Sequence, residues 1–207
     1  MKKLTKETRW SRIFRDSDDT RIYESKLAAG EPSLSPDLVQ KEWPTWSQDE
    51  RFDFAKALAA KTKLASIDES VLQHLMNVGN DVVASTIANA VARFKDRQKA
   101  MDLLLTRMVT CKEPRGNFYQ ALANFRDKAV VVALEGEYRR LSQRLESHGE
   151  EGSDVKIDYI SCCAALGQIT SSAQYGFAIK KYADDPDQVV SNFTRSILHA
   201  GLTIRPQ

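Results

Sequence analysis

Glycine, proline, cysteine and histidine are all scarce in this 207-residue chain, at nine, six, three and three residues. So few turn formers disfavour a sheet-rich fold with many tight turns and favour helices joined by short capped links. The cysteines are Cys111, Cys162 and Cys163. They form an odd set, and the adjacent pair has neither CxxC spacing nor a nearby histidine, so buried reduced thiols are expected rather than a zinc site. His74, His148 and His199 lie far apart and outside any HExxH arrangement, so neither a metal centre nor a cofactor is expected. No segment approaches the roughly 20 apolar residues that span a bilayer. The basic start MKKLTKETRWSRIF also lacks the apolar stretch of a signal peptide, so a cytoplasmic protein without membrane contact is expected. Charge of one sign is missing too: 30 basic against 28 acidic side chains leave +2. That is too little to hold nucleic acid by bulk charge, and a local patch would be required.

Catalytic signatures are equally absent. There is no GxGxxG, no GxxxxGK followed by Ser or Thr, and no GxSxG, which removes the usual entry points to kinase and hydrolase chemistry. Paired carboxylates occur at Asp18 with Asp19, Glu150 with Glu151, and Asp184 with Asp185. All fall at predicted turns or helix starts, where carboxylates accept backbone hydrogen bonds and offset the helix dipole. No catalytic residue is assigned.

What the chain does have is a repeat, within a composition (42% hydrophobic, 28% charged) suited to a buried core. FAKALAAK at 54–61, IANAVARF at 87–94, FYQALANF at 118–125 and CCAALGQI at 162–169 align without gaps, and FTRSILHA at 193–200 is a weaker fifth copy. Their central large residues are Leu58, Val91, Leu122, Leu166 and Leu198, spaced 33, 31, 44 and 32 apart. The polar stretch HGEEGSD at 148–154 accounts for the long spacing as an inserted loop. Small residues flank the large one in four copies: Ala57 and Ala59, Ala90 and Ala92, Ala121 and Ala123, Ala165 and Gly167. Small side chains on adjoining faces let neighbouring helices approach closely while the large residue fills the gap between them.

A second helix follows each copy, with apolar positions at Val71, Leu72, Leu75 and Met76, then at Met101, Leu104, Leu105 and Met108. The third has Val130, Val131, Leu134, Tyr138, Leu141 and Leu145; the fourth, Phe177, Ile179 and Tyr182. The unit is thus a helical hairpin, and the fold class all-α. Capping boxes are expected at Ser47 with Glu50, Ser66 with Glu69 and Ser171 with Gln174, and a cap with a first-turn proline at Asp185 and Pro186. Helices are predicted near 48–61, 67–77, 81–94, 97–110, 115–125, 127–147, 154–169, 172–183 and 186–200.

With these residues the chain resembles the HEAT-like repeat family in its short form of about 30 residues. The stretch AALGQITSSAQYGFAIKKYADDPDQVVSNFTRSIL at 164–198 carries the resemblance best, and the Val82–Val83 and Val189–Val190 pairs hold one register before IANAV and FTRSIL. The resemblance covers roughly 47–200. It implies a right-handed α-solenoid of about four to five hairpins, residues 47–207, behind an atypical helical cap at 1–46. Family repeats often carry an arginine seven positions before the central leucine, where it pairs with an aspartate and ties adjacent repeats. Arg51 and Arg115 keep it, whereas Ala84, Tyr159 and Ser191 do not.

In the cap, short helices are expected near 6–15, 18–29 and 36–43. Trp10, Trp43 and Trp46 are expected to pack on the first repeat, covering the apolar end of the stack. Lys2, Lys3, Lys6, Arg9, Arg12 and Arg15 read as the solvated face of an amphipathic helix with Trp10, Ile13 and Phe14 inward.

The resemblance implies function only at the level of the scaffold. HEAT-like metal hydroxylases carry His-Glu pairs on successive repeats, and none occur here. HEAT-like alkylpurine DNA glycosylases gather Trp, Asp and Arg on a basic concave face; Trp43, Trp46, Asp49 and Asp53 are loose counterparts. The expected function is non-catalytic protein binding through the concave, second-helix face, as in an adaptor or a toxin-neutralising binder of the immunity type. Its candidate contacts are Arg107, Arg139, Arg140, Arg144, Lys180 and Lys181, with Glu150 and Glu151 as a second patch. The alternative is DNA binding along the same cations, which Glu135 and Glu137 interrupt.

Overall fold

The computed structural model describes residues 36–112, 114–147 and 152–200. Among them the structure is helical and without strands. The α-helices are α1 (Pro36–Glu42), α2 (Gln48–Ala59), α3 (Ser66–Val78), α4 (Asp81–Val91), α5 (Arg97–Thr110), α6 (Gly116–Leu122), α7 (Lys128–Ser147), α8 (Ser153–Thr170), α9 (Ala173–Lys180) and α10 (Gln188–His199), with a 3-10 turn at Trp43–Thr45. The helices expected at 6–15 and 18–29, the basic face, Trp10, and Glu150 with Glu151 lie outside the described residues. The chain divides into two compact units, Met1–Leu103 and Leu104–Gln207, and the boundary falls within α5.

In the first unit α4 packs on both α2 and α3, while α1 packs on α3. Leu58, Val91 and their flanking Ala57, Ala90 and Ala92 are buried, as the small-large-small pattern requires. Two polar ties hold the ends. The Arg93 guanidinium, just beyond α4, donates to the Ala59 and Lys61 carbonyls at the end of α2, satisfying acceptors that a helix terminus leaves without intrahelical partners. Glu69 of α3 accepts the Lys95 N–H at 3.0 Å.

In the second unit α8 is the centre, packing on α6, α7, α9 and α10. It therefore has no single apolar face: Ile160, Cys162, Cys163, Ala165 and Leu166 are all buried, along with Asp158 and Ser161. Burial of a Leu122 or Leu166 side chain contributes about 1.5–3 kcal/mol. Leu198, in the weakest copy, is only half-buried.

Four details differ from the sequence expectation. Ser47 and Glu50 do form a capping box, but α3 is opened by Ala65, whose N–H donates to the Asp68 carboxylate at 2.9 Å. Asp68 lies one position before Glu69 and also takes Lys61 at 2.7 Å, so it wins the cap while Glu69 reaches toward Lys95. Ser171 is a left-handed C-cap of α8 at φ 56°, leaving Ser172 to begin α9. Finally, α10 is capped by Asp187 rather than Asp185; the Asp187 carboxylate accepts the Val189 N–H, and Asp185 accepts the Asp187 N–H. Phe177, counted among the inward positions of α9, points to solvent at 65% exposure.

Candidate functional site

The second-helix cations divide into two groups by what they touch. Arg140, on α7, is committed: its Nε and Nη2 donate to Glu137 Oε2 at 3.3 and 3.0 Å. Arg107, near the end of α5, is half-buried and its Nη1 lies 3.5 Å from Thr110 Oγ1. Arg144 is also half-buried. Arg139, Lys180 and Lys181, by contrast, are exposed. Arg139 donates only its Nε, to the Glu135 carbonyl one turn back, and the Lys180 ammonium sits 5.8 Å from the centroid of the Phe177 ring. Among the described residues no ion pair engages these three.

Behind Arg140 lies a buried polar centre that the sequence did not announce. Glu137 Oε2 also accepts from Arg115 Nη1 at 2.8 Å and from the Tyr119 hydroxyl at 2.9 Å. Burial alone would raise the Glu137 carboxyl, but hydrogen bonds from Arg140, Tyr119 and Arg115 outweigh it and hold its pKa below the usual value. The Tyr119 phenol is pushed far up, first by burial and then by the charges of Glu137 and Asp158. Arg115 is one of the two arginines seven positions before a central leucine, and it meets Asp158 of α8. It does so through its backbone N–H, 2.8 and 2.7 Å from the two oxygens of Asp158, while its guanidinium turns to Glu137 and the Cys111 carbonyl. Arg51, the other, donates to the Trp43 and Pro44 carbonyls and lies over the Trp43 ring. The Arg115, Tyr119 and Arg140 side chains thus all donate within the fold.

The seam where α7, α8 and α9 meet is filled by tyrosines. Tyr138 stacks on Tyr159 with centroids 5.5 Å apart and meets Tyr175 edge-on at 5.5 Å; Tyr182 meets Tyr159 edge-on at 5.8 Å. Tyr138 of α7 thus touches Tyr175 of α9. Val132 and Arg139 are exposed on α7, and Phe177, Lys180 and Lys181 are exposed on or at the end of α9. Cys162 and Cys163 lie beneath, and burial pushes the Cys163 thiol up to about 12 and Cys162 well above its ordinary value. Neither supplies a thiolate at neutral pH.

In the first unit Trp43 is buried and Trp46 half-buried, both against Phe54 at 6.5 and 5.1 Å between centroids. The two thus pack on α2. A cleft of about 150 Å³ lies beside the starts of α2 and α4, lined by Gln48, Asp49, Phe52, Asn80, Val82 and Val83. Asp53 sits one turn further along α2. No group of His, Cys, Asp and Glu among the described residues could hold a metal ion, and no helix there is long and apolar enough to cross a membrane. Of the paired carboxylates, Asp184 meets Arg195 at 3.1 Å and Asp185 meets Lys156 at 2.8 Å, so both tie helices together.

Phe177 is the residue that sequence reasoning misplaced. A usable signal was present: Tyr175, Ala178, Ile179 and Tyr182 alone complete an i, i+3, i+4, i+7 face, which leaves Phe177 about 200° from Tyr175 on the helix wheel. Glu137 offers less of a signal: Arg140 is three positions on, but Arg115 and Tyr119 lie 22 and 18 residues back and reach it only through the packing. No family model, curated protein or solved structure matches this chain.

Proposed function

We propose that the chain is a short HEAT-like α-solenoid that works as a non-catalytic protein-binding scaffold, engaging its partner with the outward side of its second helices. The repeat packing within each unit supports the architecture: the first helices of successive repeats lie side by side, α2 with α4 and α6 with α8 with α10, and their column residues Leu58, Val91, Leu122 and Leu166 are buried.

The observation that carries the function is the pairing of apolar and cationic side chains on α7 and α9. Val132 at 56% and Phe177 at 65% exposure stand in water on helices whose inward sides are packed, and the same two helices carry the exposed cations Arg139, Lys180 and, at the end of α9, Lys181. Large apolar side chains ringed by polar ones are the composition of a protein contact. A phosphate track would instead use cations without the apolar pair, and Arg140 is already held by Glu137. The scaffold is well suited to the task, since helices locked by a packed seam need little ordering on binding.

The test is affinity capture, with crosslinking, of proteins from cells that make this chain. A stoichiometric protein is expected with the native chain and not with Arg139→Glu/Lys181→Glu, two exposed changes that leave the melting temperature unaltered. Capture of no protein by the native chain would refute the scaffold reading.

A further inference from the structure

The apolar-cationic surface also specifies the chemistry of what it binds, an inference that rests on the scaffold reading above. α9 reads AQYGFAIK, and Lys181 follows it as the C-cap. The segment has no acidic residue. Tyr175, Ala178 and Ile179 turn inward, so the outward side is Gln174, Phe177, Lys180 and Lys181. Phe177 and Lys181 are one turn apart on the same side, and Lys180 lies against the ring.

Two acids that follow α9 in sequence have cationic partners of their own. Asp184 pairs with Arg195 of α10, and Asp185 pairs with Lys156 of α8. On the α7 side, Arg139 stands exposed one turn beyond Glu135. Glu135 is half-buried, and its charge bears on the Tyr175 phenol. α9 therefore presents an exposed apolar ring with Lys180 and Lys181 on its side, and Arg139 is exposed on α7, whose Tyr138 touches Tyr175 of α9.

We propose that α9, with Arg139 of α7, is the docking surface for an acidic peptide segment of a partner protein. An aliphatic or aromatic side chain of that segment covers Phe177, and its carboxylates pair with Lys180, Lys181 and Arg139. The two halves of the surface demand different things of the ligand. The ring selects an apolar anchor and supplies most of the affinity, because a large side chain leaving water is what makes an interface hot spot. The cations select sign: an acidic segment is steered in, and a basic one meets like charge on all sides. A nucleic-acid strand satisfies the cations but asks for a continuous path of them, which this compact group does not extend.

The probe is a displayed library of random 16-residue peptides, selected on the immobilised full chain at low salt, with a 20-nucleotide single-stranded DNA assayed in parallel. Expected is enrichment of peptides that combine Asp or Glu with at least one large apolar residue. Phe177→Ala should weaken them about 30-fold or more. Lys180→Glu/Lys181→Glu should abolish binding and transfer preference to the same peptides rewritten with lysine. Val78→Ala, an exposed change in the first unit, should have no effect. The proposal is overturned if the enriched peptides are basic or uncharged, if acidic peptides are indifferent to Phe177→Ala, if nothing is enriched, or if the DNA binds more tightly than the peptides in a Phe177-dependent way. Failure here is separable from failure of the scaffold reading. A protein captured equally by the native chain and by the Phe177→Ala and double-lysine variants leaves the scaffold in place and removes α9 as its site. Absence of any captured protein removes the scaffold itself.

Discussion

Glu137→Ala should be among the most damaging single changes outside the apolar core. The carboxylate oxygen that it removes serves the Arg115 guanidinium, the Tyr119 hydroxyl and Arg140 at once. Arg115 and Glu137 side chains are 14% and 12% exposed, so truncation leaves a cation with little access to water beside a hydroxyl on a fully buried residue. Breaking one side of a buried pair costs about 3–5 kcal/mol. Arg140, with a third of its side chain in water, recovers hydration and places the loss at the lower end, about 3 kcal/mol. For cooperative unfolding of a chain this size that is a fall in Tm of roughly 6–12 °C. Glu137→Gln keeps an acceptor in the same place and should lose about half as much. The assay is urea unfolding followed by circular dichroism, run on Glu137→Ala, Arg115→Met and the double variant. The double variant should cost less than the sum of the singles, since both charges then leave together. A loss below about 1 kcal/mol for Glu137→Ala, no larger than for an exposed change such as Gln143→Ala, would refute the account of this centre.

Acid should act through the same group. Glu137 titrates below its ordinary range when folded, so its stabilisation is complete above the unfolded value of about 4.3 and is lost as pH falls through the lower folded value. The urea midpoint of the native chain should drop more steeply than that of Glu137→Gln below about pH 4.5, and parallel curves would contradict this. Two glycines should respond in opposite directions. Gly136 lies in the middle of α7 with nothing within 4 Å of an added Cβ, so Gly136→Ala should raise stability by about 0.5–1 kcal/mol. At Gly79 the same atom would lie 2.5 Å from the Leu75 carbonyl oxygen and 2.8 Å from Val83, so Gly79→Ala should lower the Tm. Leu166→Asp, which places a charge among α8's four neighbouring helices, should prevent folding as judged by circular dichroism, whereas Gln143→Asp should leave the spectrum unchanged.

The helices were legible because two independent signals agree at most of them. A small-large-small column marks where helices touch, and a polar link with a cap marks where each begins, so α1 to α9 all start at or within one residue of the predicted positions, and α10 two residues late. The capping residue itself was harder to read where several candidates sit within three residues. At Ser66 and at Asp185 the choice goes with which partner each carboxylate meets, Lys61 for Asp68 and the Lys95 N–H for Glu69, Ser153 for Asp187 and Lys156 for Asp185, and sequence order carries no trace of that. The candidate surface was half legible. Arg139, Lys180 and Lys181 follow from helix position, while Arg140 looks like its neighbour in sequence and differs only because Glu137 lies one turn back within a buried centre. The orientation of Phe177 was available from helical phase, since Tyr175, Ala178 and Ile179 already fill the inward face of α9.

The depth of Cys162 and Cys163 beneath the tyrosine seam gives the second unit an internal clock. A thiol reagent added to the intact protein finds both sulfurs closed off and protonated, so modification must wait for α8 to part from its surroundings. The pace of labelling at neutral pH then times how often that helix lets go. A ligand that clasps α9 against it should slow the count by the same factor as it tightens the grip.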